Sequence, residues 1–453
     1  MENNNLITDH QHGFRRNRSP LTQLLHHIDS IIRILEDSGN ADILYLDLSK
    51  AFDTVNHQIL IHKLIQMKIT GKIVNWISSF LTNRQQYVVV NGHKSQPAPV
   101  TSGVPQGTVL GPALFIIYMN NITEVIKSTI IKMFADDSKL IASIKNIPDR
   151  NKIIQDLDAL IKWTQDNSMK FNEEKFQLQQ IGSNNALKLP YSKNEIHLEN
   201  SAHVRDLGIY ISDNLSFKYH ITEVTSNAAN FASWLLRTFC TREKYVMLLL
   251  LKTYIIPRLE YASPVWNPHK ITEIQQLESV QRSFTSKIQG MEDIDYWERL
   301  KRLRLFSIHC HRERFVIIHT HKIYLQLAPN DVNLQFHENA RLGIQCNRFP
   351  PKSKIASIKT LRENFFSHVA PKLYNVIPKS VKSAKTINSF KARLDILLMK
   401  IPDYPPISGY KRANTNTLTD WVRDIQRANT EIIQDDRCCL SNHVEAPEVL
   451  DAC

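Results

Sequence analysis

Three aspartates carry the chemistry that this sequence offers. Asp47 lies in a hydrophobic run at 43–48 (ILYLDL), and Asp136 with Asp137 follows 89 residues later between two further apolar runs. Carboxylates gathered on one sheet repel one another at neutral pH unless cations lie between them, and hard divalent ions with oxygen ligands, Mg²⁺ above all, answer that need. Two such ions about 4 Å apart would activate a 3′-hydroxyl and steady a leaving pyrophosphate in an in-line displacement. On the residues alone a second reading stays open. Two acids at a hairpin tip are easily hydrated, and the pair is then an ordinary turn.

The elements that must position these residues follow from periodicity. Residues 43–48 predict a buried strand interrupted by one carboxylate. Phe52, Val55, Ile59, Leu60, Leu64 and Ile65 fall at helical spacing and predict a helix over about 49–67, followed by a second over 73–81. The β-rich stretch 85–90 leads through Asn91-Gly92, a strong hairpin dipeptide, into a strand at about 96–101. An apolar helix is expected over 108–126, then strands at 130–134 and 139–144 flanking the aspartate pair. Ile153, Ile154, Leu157, Leu160, Ile161 and Trp163 mark another helix, and strand-like pieces run over 176–211 before the pattern turns largely helical from about 216. This alternation is that of an α+β domain followed by helices.

Composition narrows the class. A chain of 453 residues, 42% hydrophobic and 22% charged, is neither a peptide nor disordered, and its length suggests about two to four domains. The net charge of +12 favours a polyanionic partner and is concentrated in the second half: 1–210 carries net +2, 211–430 net +15, and 431–453 net −5. Six cysteines show neither metal-ligand spacing nor disulfide density, which fits a reducing intracellular compartment, nucleus or cytoplasm. His443 between Cys439 and Cys453 makes no zinc-knuckle spacing. MENNNLITDH is not a secretory signal, and the longest uncharged apolar run, 246–251, is far too short to span a bilayer, so no membrane is expected. Pro405-Pro406 and 414–419 read as a linker, the acidic end after Glu431 as a frayed tail, and no fixed-period repeat is present.

LDLSKAFDTVNH (46–57), SGVPQGTVLGP (102–112) and FADDSKL (134–140) occur in this order and spacing. They closely resemble polymerase motifs A, B and C of the reverse transcriptases of non-LTR (LINE) retrotransposons of the jockey and CR1 type. QHGFRRNRS (11–19) resembles the stretch ahead of motif A, MKFNEEKFQLQQIG (169–182) motif D, and VRDLGIYISDNLSF (204–217) the primer grip. Segments at 258–269, 277–290 and 365–394 resemble the thumb and carboxy-terminal parts, so the likeness covers about residues 10–400.

The resemblance implies a right-hand polymerase: partial fingers and palm over 1–212, with helices on one face of an antiparallel palm sheet, a thumb-like helical region over 213–330, a helical carboxy-terminal region over 331–400, and linker and tail over 401–453. It implies RNA-directed DNA synthesis with two Mg²⁺ (Mn²⁺ as a substitute), an RNA template, a DNA primer or RNA–DNA hybrid, and dNTPs. Asp47, Asp136 and Asp137 match the metal-binding catalytic positions. Asp53, placed within the expected helix, has a local structural role. Phe52 matches the aromatic that excludes a ribose 2′-hydroxyl, although it also lies on the apolar stripe. Gln106 and Gly107 match the motif B residues that shape the pocket for the base pair and sugar, and a glycine there allows close backbone approach. Lys175 matches the motif D lysine near the triphosphate, with Phe176 where the family usually has threonine. Arg15, Arg16 and Arg18 form a basic cluster suited to template phosphates, with a solvated face or a nuclear-import signal as the alternatives. Trp266 and Tyr261 read as a buried aromatic cluster, and Lys301, Arg302, Arg304 and the basic run 372–391 as duplex-tracking charges. Complete elements of the family carry an endonuclease and further fingers ahead of this region, so with 46 residues before Asp47 both are expected to be missing at least in part. A copy that binds RNA or DNA without polymerising is the alternative.

Overall fold

A computed structural model describes residues 6–193, 196–347, 353, 355–401 and 403. The expected linker, the tail and the cysteines at 438, 439 and 453 lie outside the described residues. Ser19 opens the first helix, α1 (Pro20–Ser38): its hydroxyl accepts from Thr22 N–H, the Thr22 hydroxyl accepts from Ser19 N–H, and Pro20 stands in the first turn. Gly39, at φ +80°, ends the helix by donating its N–H to Leu35 O. Periodicity alone did not place α1 above, although Ser19-Pro20, Gly39 and the apolar stripe from Leu24 to Leu35 all mark it.

The chain then enters β1 (Asn40–Leu46), one of the two central strands of the main sheet. After a turn come α2 (His57–Gln66) and α3 (Lys72–Leu81), the short strands β2 (Arg84–Gln86), β3 (Val89–Val90), β4 (His93–Lys94) and β5 (Ala98–Val100), and the apolar α4 (Leu110–Met119). β6 (Ile130–Phe134) and β7 (Asp137–Ser143) form a hairpin; α5 (Asn151–Asp166) and β8 (Gln177–Gly182) complete the domain. The sheet order is β6-β7-β1-β8, antiparallel throughout.

Two expected helices come out shorter. The segment 49–56 is a turn, with Lys50 at φ +47°, and the helix begins only where the Asn56 side chain accepts from the N–H groups of Gln58 and Ile59. Phe52 and Val55 are spaced as on a helix, yet their carbonyls accept from Val104 N–H (2.9 Å) and Gly103 N–H (2.8 Å). α4 ends at Met119 and continues as a 3₁₀ segment, Asn120–Val125.

Helices cover both faces of the sheet, not one. Ala41, Ile43 and Ile141 pack with Leu24, Ile28 and Ile31 of α1, whereas Leu44, Leu46 and Leu140 pack with Leu114 of α4 and with Ile153 and Leu157 of α5. Alternate residues of β1 thus feed two cores, which is why its sequence is apolar without a polar face. The α1 core continues through the hairpin β9 (His203–Asp206) and β10 (Ile209–Ser212) into the helices at 218–238, 256–260, 271–285 and 308–324, and on to Phe390 and Leu398. One core therefore crosses the expected divisions at 212 and 330. No helix among the described residues is long and apolar enough to cross a membrane.

Candidate active site

Asp47 is the first residue beyond β1, and the backbone around it is pinned by the segment before β8. Asp47 O accepts from Asn172 N–H (2.8 Å), Lys170 O accepts from Ser49 N–H (2.8 Å), and Leu48 bridges Phe171. The β1–β7 register pairs Leu46 with Ser138, so one further step brings Asp47 opposite Asp137. Asp136 lies in the two-residue turn between β6 and β7, where Ala135 has φ +57° and Phe134 pairs with Asp137. The three acids therefore meet at one end of the two central strands.

Their electrostatics reflect that crowding. The Asp136 carboxyl is pushed above its usual range by lost hydration first and by Asp47 further down. Asp137 reaches the surface but is walled by protein, and lost hydration, then Asp136, then Asp206 push it up to about 6. The Lys175 ammonium donates to Asp47 Oδ2 at 2.8 Å, and that bond raises the lysine's own pKa. Lys175 closes a one-turn 3₁₀ segment, Glu173–Lys175, and its side chain stays largely exposed. Phe176, the departure from the family pattern, turns into the core edge-on to Phe171 at 5.4 Å between centroids, so it leaves Lys175 in place.

Five residues beyond Asp47, the 52–55 turn and the 102–107 loop form one unit. Phe52 is half-buried, stacked on Phe115 (4.2 Å, 19°), with Phe14 edge-on at 6.0 Å. Gly103 (φ +85°) passes so close to Asp53 that a Cβ would sit 2.9 Å from its Cα and carbonyl oxygen. Gln106 Nε2 donates to Asp53 Oδ1 at 3.0 Å, so Asp53 anchors the loop from a turn rather than from within a helix. Gly107 has φ +77° and open space where a Cβ would be: its backbone angle, not a protein neighbour, calls for glycine.

The arginine cluster divides. Arg15 donates to Thr8 O (2.7 Å), Arg18 to Asp9 Oδ1 (2.7 Å) and His12 Nε2 (2.9 Å), and both side chains are largely buried; Arg16 is exposed. His12, His26 and Asp331 also converge, with ligand-type atoms within 4.8 Å. Arg18 already donates to His12 Nε2, however, and the Lys132 ammonium meets His26 Nε2, so the cluster is an ion-paired network joining the 326–331 loop to α1. Trp266 is core, donating to Tyr261 O at 2.9 Å, but the Tyr261 ring is exposed and its hydroxyl donates to Leu207 O, so the two do not form the expected buried aromatic cluster. Lys301, Arg302 and Arg304 are exposed, whereas Lys382 is buried over the Tyr374 ring.

Sequence reading passed over Gln11 and Gly13. Residues 10–13 run along β6, with Met133 N–H donating to His10 O and His12 N–H to Met133 O, both at 3.0 Å. The only signal for them was the QHGF string itself.

Residues 1–211 match the family described as reverse transcriptase (RNA-dependent DNA polymerase). The RNA-directed DNA polymerase from mobile element jockey of Drosophila melanogaster is 26% identical over 295 residues, covering 63% of this chain and 32% of that protein. The probable RNA-directed DNA polymerase from transposon X-element of the same fly is 25% identical over 305 residues, covering 64% and 33%. Among solved structures, telomerase from Candida tropicalis aligns at 13% identity with a TM-score of 0.36, over 82% of this chain and 52% of that one. The chain spans about one third of the length of the curated relatives it matches. The acids at 47, 136 and 137, which meet at one end of an antiparallel sheet, thus fall within the residues that match the reverse transcriptase family, and the chain is similar to RNA-directed DNA polymerases of mobile elements.

Proposed function

We propose that the chain is an RNA-directed DNA polymerase that extends a primer 3′-hydroxyl with dNTPs on an RNA template. The observation that carries this reading is the meeting of Asp47, Asp136 and Asp137 at the end of β1 and β7.

The donor set fits divalent metal. Three carboxylates, two of them raised by lost hydration and mutual repulsion, form an all-oxygen site that is electrostatically unsatisfied, and a Lys175 ammonium already occupies one oxygen of Asp47. Two Mg²⁺ held by Asp47, Asp136 and Asp137, with Mn²⁺ as a substitute, would supply the charge that activates the hydroxyl and neutralises the leaving pyrophosphate. The protein's own residues do the rest. Phe52 is fixed by its stack on Phe115, and its ring limits what sugar fits above it. Gln106 and the left-handed Gly107 shape the loop facing the base pair, and Asp53 holds that loop to the motif A turn. Lys175 changes partners from Asp47 to the triphosphate, placing a proton donor at the leaving group. Exposed Arg16, with Lys301, Arg302 and Arg304 on the helical region, offers sequence-independent contacts to template and duplex phosphates. An intracellular site of action, nuclear or cytoplasmic, completes the reading.

The test is primer extension on poly(rA)/oligo(dT) with dTTP and Mg²⁺, run beside Asp136→Asn. Extension by the wild type and none by the variant is expected. Salt-sensitive retention of primer–template without extension would replace this reading with a nucleic-acid-binding role.

A further inference from the structure

The Gln11 side chain is buried and makes three hydrogen bonds, all to two residues. Its Oε1 accepts from Ala135 N–H (2.8 Å) and Gly13 N–H (2.7 Å), while its Nε2 donates to Ala135 O (3.1 Å). The amide orientation is fixed by these partners: flipping it would set the NH₂ group against two N–H donors and the oxygen against a carbonyl. Both main-chain groups of Ala135 are thereby held by one side chain. Ala135 has φ +57°, a region that an L side chain seldom adopts, and it immediately precedes Asp136.

Gly13 closes the same clamp from the other side. A Cβ at position 13 would lie 2.3 Å from Ala135 N and 2.9 Å from its Cα, so only glycine lets the 10–13 segment lie flat against the turn. The segment is itself tied to β6 through the paired bonds of Met133 with His10 and His12. Both contacts fall on the turn, one residue from the acid.

We propose that Gln11 is a positioning residue: it holds Ala135 in its left-handed conformation and so fixes where Asp136 and Asp137 present their carboxylates. The inference rests on the polymerase reading for its kinetic consequence, and on the geometry alone for its effect on the carboxylate site. A group that orients ligands without touching the metal typically changes affinity or activity by roughly 10- to 100-fold when removed.

The test uses the full chain and two variants that strike the clamp from different sides. Gln11→Met keeps the side chain's length and removes all three hydrogen bonds; Gly13→Ala keeps Gln11 and pushes the turn away. Mn²⁺ binding is followed by the loss of the free-ion electron paramagnetic resonance signal, with Asp136→Asn marking the share that belongs to this site. Thermal midpoint, primer–template affinity, and kcat and KM for dTTP are measured alongside. Both variants are expected to fold and to hold primer–template within about twofold of wild type, yet to lose roughly 10- to 100-fold in Asp136-dependent Mn²⁺ affinity and in kcat. Mn²⁺ affinity within about twofold of wild type in both variants, or failure of both to fold, would overturn the positioning role. A wild type that binds Mn²⁺ through Asp136 but extends no primer sinks the polymerase reading and leaves the clamp to be judged on Mn²⁺ affinity. A wild type with no Asp136-dependent binding overturns both.

Discussion

Lys139 and Asp206 form an ion pair inside the protein, each side chain no more than 5% exposed. Lys139 stands two residues after Asp137 on β7, and Asp206 ends the first strand of the β9–β10 hairpin, so the pair fastens the strand bearing the acid to the segment that resembles a primer grip. His27 of α1 stands 3.9 Å from the same carboxylate and contacts the Tyr45 hydroxyl at 3.2 Å. Removing one partner leaves the other charged and buried. Asp206→Ala is therefore expected to cost about 3–5 kcal/mol of stability, and the double variant Lys139→Met, Asp206→Leu markedly less. Denaturant titration of the three chains checks this, and an Asp206→Ala chain as stable as wild type refutes it.

Phe52 has a packing role and a proposed gating role, which two substitutions separate. As a ring stacked on Phe115 it contributes packing, and because it is only half-buried, Phe52→Ala is expected to cost about 2 kcal/mol, less than the roughly 3–5 of a fully buried phenylalanine. The proposed steric gate would act on specificity. The ratio of kcat/KM for dTTP over UTP is expected to fall by roughly 10- to 100-fold in Phe52→Val, with the effect on dTTP alone much smaller. An unchanged ratio with reduced stability would make Phe52 a core residue and nothing more.

Lys175 tests the leaving-group role with little risk to the fold, since its side chain is mostly exposed and its one described partner is Asp47. Lys175→Met is expected to leave stability close to that of wild type and to lower kcat by roughly 100-fold or more. Melting curves and single-turnover extension read the two quantities separately. Equal kcat in variant and wild type would reduce Lys175 to a surface lysine.

How much of this was legible in the sequence depends on the range of the interaction. β1, β6, β7 and α5 were readable because each buries a periodic apolar pattern against its neighbours. The 49–56 turn was misread for the same reason: Phe52 and Val55 have helical spacing, but their carbonyls are claimed by Val104 and Gly103 respectively, about fifty residues away. Nothing local announces such a bond. The three aspartates were found by motif, yet what aligns them is register, Leu46 on Ser138, and that is a pairing between strands. Arg15 and Arg18 looked like a phosphate grip because charge is visible in sequence and partners are not; Asp9, His12 and Asp331 take up that charge within the fold. Gln11 shows the converse, a neutral residue whose value lies entirely in whom it meets.

Acid sensitivity follows from the buried histidines. Burial pushes His12 down to about 2, and His26, His309 and His319 to about 3, so each is neutral in the folded chain at any pH above about 4. In the unfolded chain a histidine takes up a proton below about 6.5. Between those limits the unfolded state binds more protons than the folded one, so stability falls as pH drops, by up to about 1.4 kcal/mol per pH unit for each such group. Glu278 and Glu260 act in the opposite sense, as does Asp137. Raised to about 7, about 8 and about 6, they hold protons that the unfolded chain releases at lower pH, and so soften the slope without reversing it, because His220, His311 and His321 are also lowered, to about 4, about 3 and about 4. Urea midpoints at pH 7.5, 6.5 and 5.5 are therefore expected to differ little between the first two and to drop at the third. Replacing His309 with Gln is expected to flatten the drop, and a chain equally stable at pH 7.5 and 5.5 would show that these imidazoles are not held neutral by the fold.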